Sequence, residues 1–240
     1  MKTFDFDRFG DLRTKSVLDL GAGAGRHSIE AIIRGASVVS VEIDPTPLQT
    51  IPAALDETLA YLDIKDDTSP KILSLAVSDA RGLPFHDNSF DIVIVSEILE
   101  HIQEDHVVLR EINRVTKAGG MIAISVPRAM PELLNWIFSK EYHSVKGGHI
   151  RIYRKRQLLQ RIAQANLDVV MVSYAHGLHS PYWWLKTLLG LEKTNLSPIR
   201  RYQDLLIKQM SGRLERLDTF EKRVLDPSIG KSLVLYAIKT

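Results

Sequence analysis

The chain contains no cysteine, which excludes disulfides, thiolate metal sites and a cysteine nucleophile together. It also lacks any run approaching the roughly 18 apolar residues of a membrane-spanning helix. Its start, MKTFDFDRFGDLRTK, alternates charges where a signal peptide would carry an apolar stretch. Net charge is scarce as well: 31 Lys and Arg against 29 Asp and Glu leave +2, too weak a field to favour nucleic acid as a partner. These absences fit a cytoplasmic protein, with any membrane contact peripheral. What is present, 45% hydrophobic and 25% charged residues over 240 positions, suffices to bury a sizeable core. One domain over residues 1–240 is the expectation.

Apolar strand-like runs alternate with helical segments, the pattern of a parallel sheet with crossover helices. Strands are expected at Ser16–Leu20, Ser37–Glu42, Lys71–Val77, Asp91–Val95, Met121–Val126, Asp168–Tyr174 and Ser232–Ile238. The fourth, DIVIV, is apolar enough to be buried on both faces. Helices are expected over Ser28–Arg34, from Asp44-Pro45 to Tyr61, over Glu104–Val115 and over Tyr153–Ala165. Two stretches fall outside this alternation, so a core of about 15–127, 151–176 and 231–240 would carry lid insertions at about 128–150 and 177–230. In the second, Tyr202, Leu206, Met210, Leu214, Leu217 and Val224 recur at helical spacing, which predicts one long amphipathic helix that could support a homodimer.

Asp19-Leu-Gly21-Ala22-Gly23-Ala-Gly25 stands where the first strand becomes the first helix, a place where small residues let a ligand approach the backbone. It is not the dinucleotide fingerprint, whose third glycine would fall on Arg26, and it lacks the Gly-Lys-Ser/Thr of a phosphate loop. Glu42, about twenty residues on at the end of the second strand, can accept both hydroxyls of a ribose. Ser78-Asp79-Ala80 lies between the third and fourth strands. An Asp there can accept from an adenine amine while a neighbouring N–H donates to the ring.

VLDLGAGAG, VEIDP, SDARGLPFHDNSFDIVIVSEILEHI and LREINRVTKAGGMIAISVP, in that order over about residues 16–127, resemble the successive motifs of class I S-adenosylmethionine-dependent methyltransferases of the type 11 group. The resemblance implies a Rossmann-like α/β fold: a seven-stranded, mostly parallel sheet with an antiparallel last strand, helices on both faces, and lids after strands 5 and 6. It implies that Asp19, Gly21, Ala22 and Gly23 surround the amino-acid part of S-adenosylmethionine, that Glu42 holds the ribose, and that Ile43 packs on adenine. Asp79 and Ala80 would read the adenine edge, and Ser96, Glu97 and His101 would close the pocket near the sulfonium. Glu42 departs mildly from the Asp usual at that position. Gly25 is as readily a helix-packing glycine as a ligand contact, and Phe85 and Phe90 read as core.

Methyl transfer from a sulfonium is an in-line displacement that needs alignment and dryness, and a base only if the acceptor must lose a proton. No Asn/Asp-Pro-Pro-Tyr/Phe follows the fourth strand, and no carboxylate cluster has metal-ligand spacing, so no metal is expected. The lids must supply the acceptor site, because an N-terminal lid is not expected from residues 1–15. From Tyr142 to Leu167 there is no acidic residue. His149, then His143, are the candidate bases, with Arg151 beside them. The expected acceptor is a small or lipid-linked molecule, anionic and partly apolar, methylated at oxygen. Two other readings stay open: a nucleic-acid methyltransferase using the basic strip 146–161, and a non-catalytic relative that binds the cofactor.

Overall fold

A computed structural model describes residues 3–64, 72–138, 148–190, 193, 195–210 and 213–240. One seven-stranded sheet organises them. Its strands are β1 (Ser16–Leu20), β2 (Ser37–Glu42), β3 (Leu73–Val77), β4 (Phe90–Ser96), β5 (Thr116–Pro127), β6 (Leu167–Ala175) and β7 (Ser232–Lys239), ordered β3-β2-β1-β4-β5-β7-β6. β7 runs antiparallel to both neighbours, β5 and β6, while the other pairings are parallel. The strand order reverses between β1 and β4, and the crevice beyond their carboxyl ends is where open α/β sheets bind ligands.

Period-two alternation divides the core between the two faces of the sheet. Leu18, Leu20, Val93, Val95 and Ile122 pack on one face with α4 (Asp105–Val115) and α6 (Lys155–Gln164). Val17, Ile92, Ile94 and Ala123 pack on the other with α1 (Arg26–Ile33). β4 is buried from Ile92 to Val95. Each such side chain contributes about 1.5–3 kcal/mol, and a polar residue there would find no partner.

Several elements differ from the sequence expectation, each for a local reason. The helix expected up to Tyr61 is two: α2 (Pro45–Leu48), capped by Asp44 accepting from the Thr46 N–H at 2.8 Å, and α3 (Ile51–Tyr61), opened by Pro52. β5 starts at Thr116 and absorbs Gly119-Gly120, which therefore sit inside the strand rather than ending α4. The long helix expected over Tyr202–Val224 is not continuous. It divides into α8 (Ser197–Met210), α9 (Glu215–Phe220) and a π-type segment (Glu221–Leu225), and Pro227 then lies in the first turn of α10 (Asp226–Ile229). Spacing by threes and fours matched two helices as well as one.

The lid stretches contribute α5 (Ala129–Phe138) and α7 (His179–Leu189) besides α8–α10. Trp184 Nε1 of α7 donates to the Pro131 carbonyl of α5 at 3.2 Å. The amino-terminal residues are core: Phe4, Phe6, Phe9 and Leu12 are buried, and the Asp5 N–H donates to the Tyr236 hydroxyl at 2.8 Å. Among the described residues no helix is long and apolar enough to cross a membrane.

The basic strip has a structural partner. Asp105, fully buried at the start of α4, accepts from Arg151, Arg161 and the Tyr153 hydroxyl, and Arg151 also donates to the Gln103 carbonyl at 2.7 Å. Two guanidinium groups around one buried carboxylate leave one net positive charge, with their geometry fixed by Asp105 rather than free to follow an outside ligand. Asp105→Ala is expected to destabilise the fold by about 2–4 kcal/mol, since it strands two half-buried cations and a buried hydroxyl. Urea unfolding followed by circular dichroism checks this, with the midpoint falling at unchanged slope.

Candidate active site

The turn after β1 is built for close approach. Gly21, Gly23 and Gly25 all hold φ between +52° and +79°, where a side chain would be strained. A Cβ on Gly21 would meet Ile98 Cγ2 at 2.2 Å, and one on Gly25 would meet Ile51 at 2.7 Å. Gly25 therefore serves packing of α1 against α3. The N–H groups of this turn are spent inside the protein: Gly21 and Ala22 donate to the Val41 carbonyl at 2.8 and 3.0 Å, Gly25 to the Ala22 carbonyl at 2.9 Å, and Gly23 to Glu42 Oε2 at 3.0 Å. A phosphate cradle needs free N–H groups aimed outward, and this turn withholds them.

Beside the turn lies a cavity of 610 Å³, within the range of small-ligand sites. Gly21, Glu42, Ile43, Asp79, Ala80 and His101 line it, so the structure brings together six of the eleven residues that the sequence assigned to the cofactor. Glu42 is anchored by Gly23 and by the Ile43 N–H on Oε1 at 2.9 Å, which fixes its carboxylate at the cavity wall with lone pairs to spare. Ile43 is 67% exposed, an apolar surface lying open beside a carboxylate. Asp79 is turned to Arg81, accepting from its guanidinium at 2.7 Å and its N–H at 2.8 Å, and these bonds hold its carboxyl below the usual range.

Other expected residues stand elsewhere. Asp19 does not reach the cavity. It is buried beneath the turn, where Ser28 Oγ donates to Oδ2 at 2.6 Å and Oδ1 has no partner. Burial raises its pKa from 3.8 to about 6, more than the Ser28 hydrogen bonds lower it. Ser96 Oγ sits 3.1 Å from Ser125 Oγ. Glu97 adopts φ +55° at the end of β4 and faces a second cavity, of 400 Å³, on the other side of the strand end from Ile98.

Sequence reasoning did not foresee that second cavity. Arg26 from the start of α1, Glu97 and Lys231 line it together with His176, His179 and Trp183, and Thr3 closes one side. The amino terminus thus forms part of a wall that was expected from the lids alone. His176 and His179 are kept neutral at pH 7 by burial, the latter lowered to about 4. Separations of 71 residues between Arg26 and Glu97 and of 79 between Glu97 and His176 hid this convergence; the one signal in sequence was the histidine pair opening the second lid.

His149, the first candidate base, lines neither cavity. Its Nδ1 lies 2.6 Å from Glu132 Oε1, and its ring meets that of His101 edge to face at 4.9 Å. Burial pushes the Glu132 carboxyl up, but the hydrogen bond and charge of His149, with Lys231 and the Trp136 N–H, together more than offset this. Glu100, buried with both oxygens unpartnered, is pushed well up by burial and then by Glu97. Among the described residues, Glu100, His101 and His149 bring ligand-capable atoms within 4.8 Å of one another, a convergence that their spacing in the chain did not suggest. His143 lies outside the described residues.

Residues 18–124 match the family model described as methyltransferase domain. Over 119 residues the chain is 35% identical to the demethylmenaquinone methyltransferase of Renibacterium salmoninarum, covering 50% of this chain and 44% of that one. Residues 18–124 are a class I methyltransferase domain using S-adenosylmethionine. The chain is also 29% identical over 126 residues to the ubiquinone biosynthesis O-methyltransferase of Pseudomonas aeruginosa, covering 52% of this chain and 50% of that one. The chain thus spans about half the length of the curated relatives it matches. Among solved structures, the [4+2]-cyclase SpnF superposes with a TM-score of 0.61 at 18% identity, covering 98% of this chain and 78% of that one. That likeness shows the fold alone, and one fold hosts many chemistries.

The cofactor's size and polarity fit the first cavity: a turn whose Gly21, Ala22, Gly23 and Gly25 N–H groups are satisfied internally suits a ligand with no phosphate, the anchored Glu42 suits a ribose, and Ile43 suits a flat ring. The raised pKa of Asp19 has a consequence for the protein's stability. The folded state holds this proton more tightly than the unfolded chain, so the contribution is full below pH about 4 and is lost as pH rises through about 6. Asp19→Asn should therefore gain about 2–3 kcal/mol relative to the parent between pH 4 and 7. Thermal or urea unfolding of both proteins across that range measures the difference, and parallel curves would contradict it.

Proposed function

We propose that the protein transfers the methyl group of S-adenosylmethionine to an oxygen of a small or lipid-linked acceptor. The observation that carries this reading is the pairing of two cavities on either side of one strand end. Gly21, Glu42, Ile43 and Ala80 line the first. The second opens past Glu97 and the start of α1. β4 ends at Ser96, and of the two residues that follow, Ile98 lines the first cavity and Glu97 the second.

When bound, S-adenosylmethionine supplies an electrophilic methyl group on a sulfonium. Glu42 would hold its ribose and Ile43 its adenine, while Ala80 would lie along the adenine edge. Asp79 would reach that edge by sharing its carboxylate with Arg81. The unpartnered Oδ1 of Asp19 beneath the turn keeps a negative or polarisable group below the amino-acid end. The chain's share of catalysis is then to align acceptor and donor and to exclude water, which supplies much of the acceleration of such displacements. Attack by oxygen is favoured by the company of the 29% identical O-methyltransferase and by a cavity with a carboxylate ready to take a hydroxyl proton. The basic strip argues little for nucleic acid, because Arg151 and Arg161 are engaged with Asp105.

Glu42→Ala is expected to weaken S-adenosylhomocysteine binding about 10- to 100-fold, the loss of hydrogen bonds to a charged acceptor. Calorimetry reads this directly. In parallel, cofactor labelled in its methyl group should mark a component of cell extract with the parent protein and not with the variant. Failure of the parent to bind S-adenosylhomocysteine would overturn the reading.

A further inference from the structure

The second cavity is a built site that the cofactor does not need. Glu97 stands in the left-handed region at φ +55°, a conformation that costs a non-glycine residue energy and is kept where the surroundings hold it. Its Oε1 is buried without a hydrogen-bond partner, as is Nδ1 of His179 across the cavity. Buried polar atoms are nearly always paired, so two orphans on residues that line one cavity point to a ligand that draws them into pairing. Opposite stand two cations: Arg26, whose guanidinium reaches Ser96 Oγ at 3.4 Å, and Lys231, which lies over the Trp183 ring at 5.5 Å. Leu206 of α8 and Trp183 of α7 supply an apolar, flat-sided wall.

These groups sum to two positive charges against one carboxylate, since the histidines are neutral. A ligand here gains by bringing a negative charge for Arg26 and Lys231, a flat apolar part for Trp183, and a proton donor for Glu97. We infer that this cavity is the acceptor site, that the acceptor is an anionic hydroxy compound with a planar apolar portion, and that Glu97 takes the proton of the methylated hydroxyl. This rests on the methyl-transfer reading above. In the step, the acceptor oxygen forms a bond to the methyl carbon and gives its proton to the Glu97 carboxylate. The carbon–sulfur bond breaks with its electron pair remaining on sulfur, so a sulfonium becomes a neutral thioether. Glu97 rather than His149 is placed for this role, because it alone among the two lines the cavity and adjoins Ile98 of the cofactor side.

Salicylate, a flat hydroxy acid small enough for 400 Å³, is the probe, with phenol as its uncharged counterpart. Titration into protein saturated with S-adenosylhomocysteine, followed by tryptophan fluorescence and repeated in Trp183→Phe to assign the signal, should show salicylate bound at least 10-fold more tightly than phenol. Arg26→Gln and Lys231→Gln should each weaken salicylate about 10-fold and leave S-adenosylhomocysteine affinity within about 2-fold. Glu97→Gln should bind salicylate several-fold more tightly, because a like charge has gone, while methyl transfer to the labelled extract component falls at least 100-fold. Glu97→Asn, which tolerates the left-handed backbone better, should repeat that split if Glu97→Gln fails to fold. Equal binding of salicylate and phenol, or salicylate binding unmoved by Arg26→Gln and Lys231→Gln, overturns the assignment of the cavity. Unchanged methyl transfer in both Glu97 variants overturns the role of Glu97. Absence of S-adenosylhomocysteine binding in the parent would instead count against the cofactor reading.

Discussion

The contact of Gly21 with Ile98 sets the rest of the site. A single extra carbon at position 21 would fall 2.2 Å from Ile98 Cγ2, so the turn after β1 packs directly on the Ile98 side chain with no room for one of its own. That contact fixes Ile98 on the turn side, which in turn sends Glu97 to the opposite side with φ +55°. The end of β4 thereby stands between the cavity of Glu42 and the cavity of Arg26 and Lys231. The same contact lies at the reversal of strand order between β1 and β4, where the sheet leaves a crevice for topological reasons.

Around this partition the protein spends polar groups in two distinct ways. On the cofactor side it consumes its own donors: the N–H groups of Gly21, Ala22, Gly23 and Gly25 are all satisfied internally, which leaves carboxylates and apolar edges to face the ligand. On the acceptor side it leaves groups open, with Glu97 Oε1 and His179 Nδ1 unpaired. Asp19 shows the cost of such an arrangement. Its carboxylate is buried beneath the turn with its pKa raised to about 6, an element that detracts from stability at neutral pH and is kept at the site nonetheless, as destabilised groups at functional sites often are.

Much of this was legible in the sequence, and the boundary between what was and what was not follows chain distance. The strands show as apolar runs, and Gly21, Glu42, Ile43, Asp79 and Ala80 fall on strand ends and turns that the alternating pattern itself locates. Local spacing cannot report tertiary partners. Arg151 looked like a cation free for a ligand, yet it neutralises Asp105 from 46 residues away. His149 looked like a base at the mouth, yet it is bound to Glu132 across 17 residues. Phe4 and Thr3 stand in a start of alternating charges, and they are core and cavity wall because Tyr236 of β7 and His176, just past β6, come to meet that segment. The long helix failed for a different reason: a repeat of threes and fours is equally satisfied by two helices and a turn.

A crystal structure with S-adenosylhomocysteine bound tests the central claim most directly. The account predicts adenine against Ile43, ribose hydroxyls on Glu42, and the sulfur at the partition, facing the gap between the glycine turn and Glu97. A nucleoside lodged in the cavity of Arg26, His179 and Lys231, or a sulfur pointing away from Glu97, would contradict it.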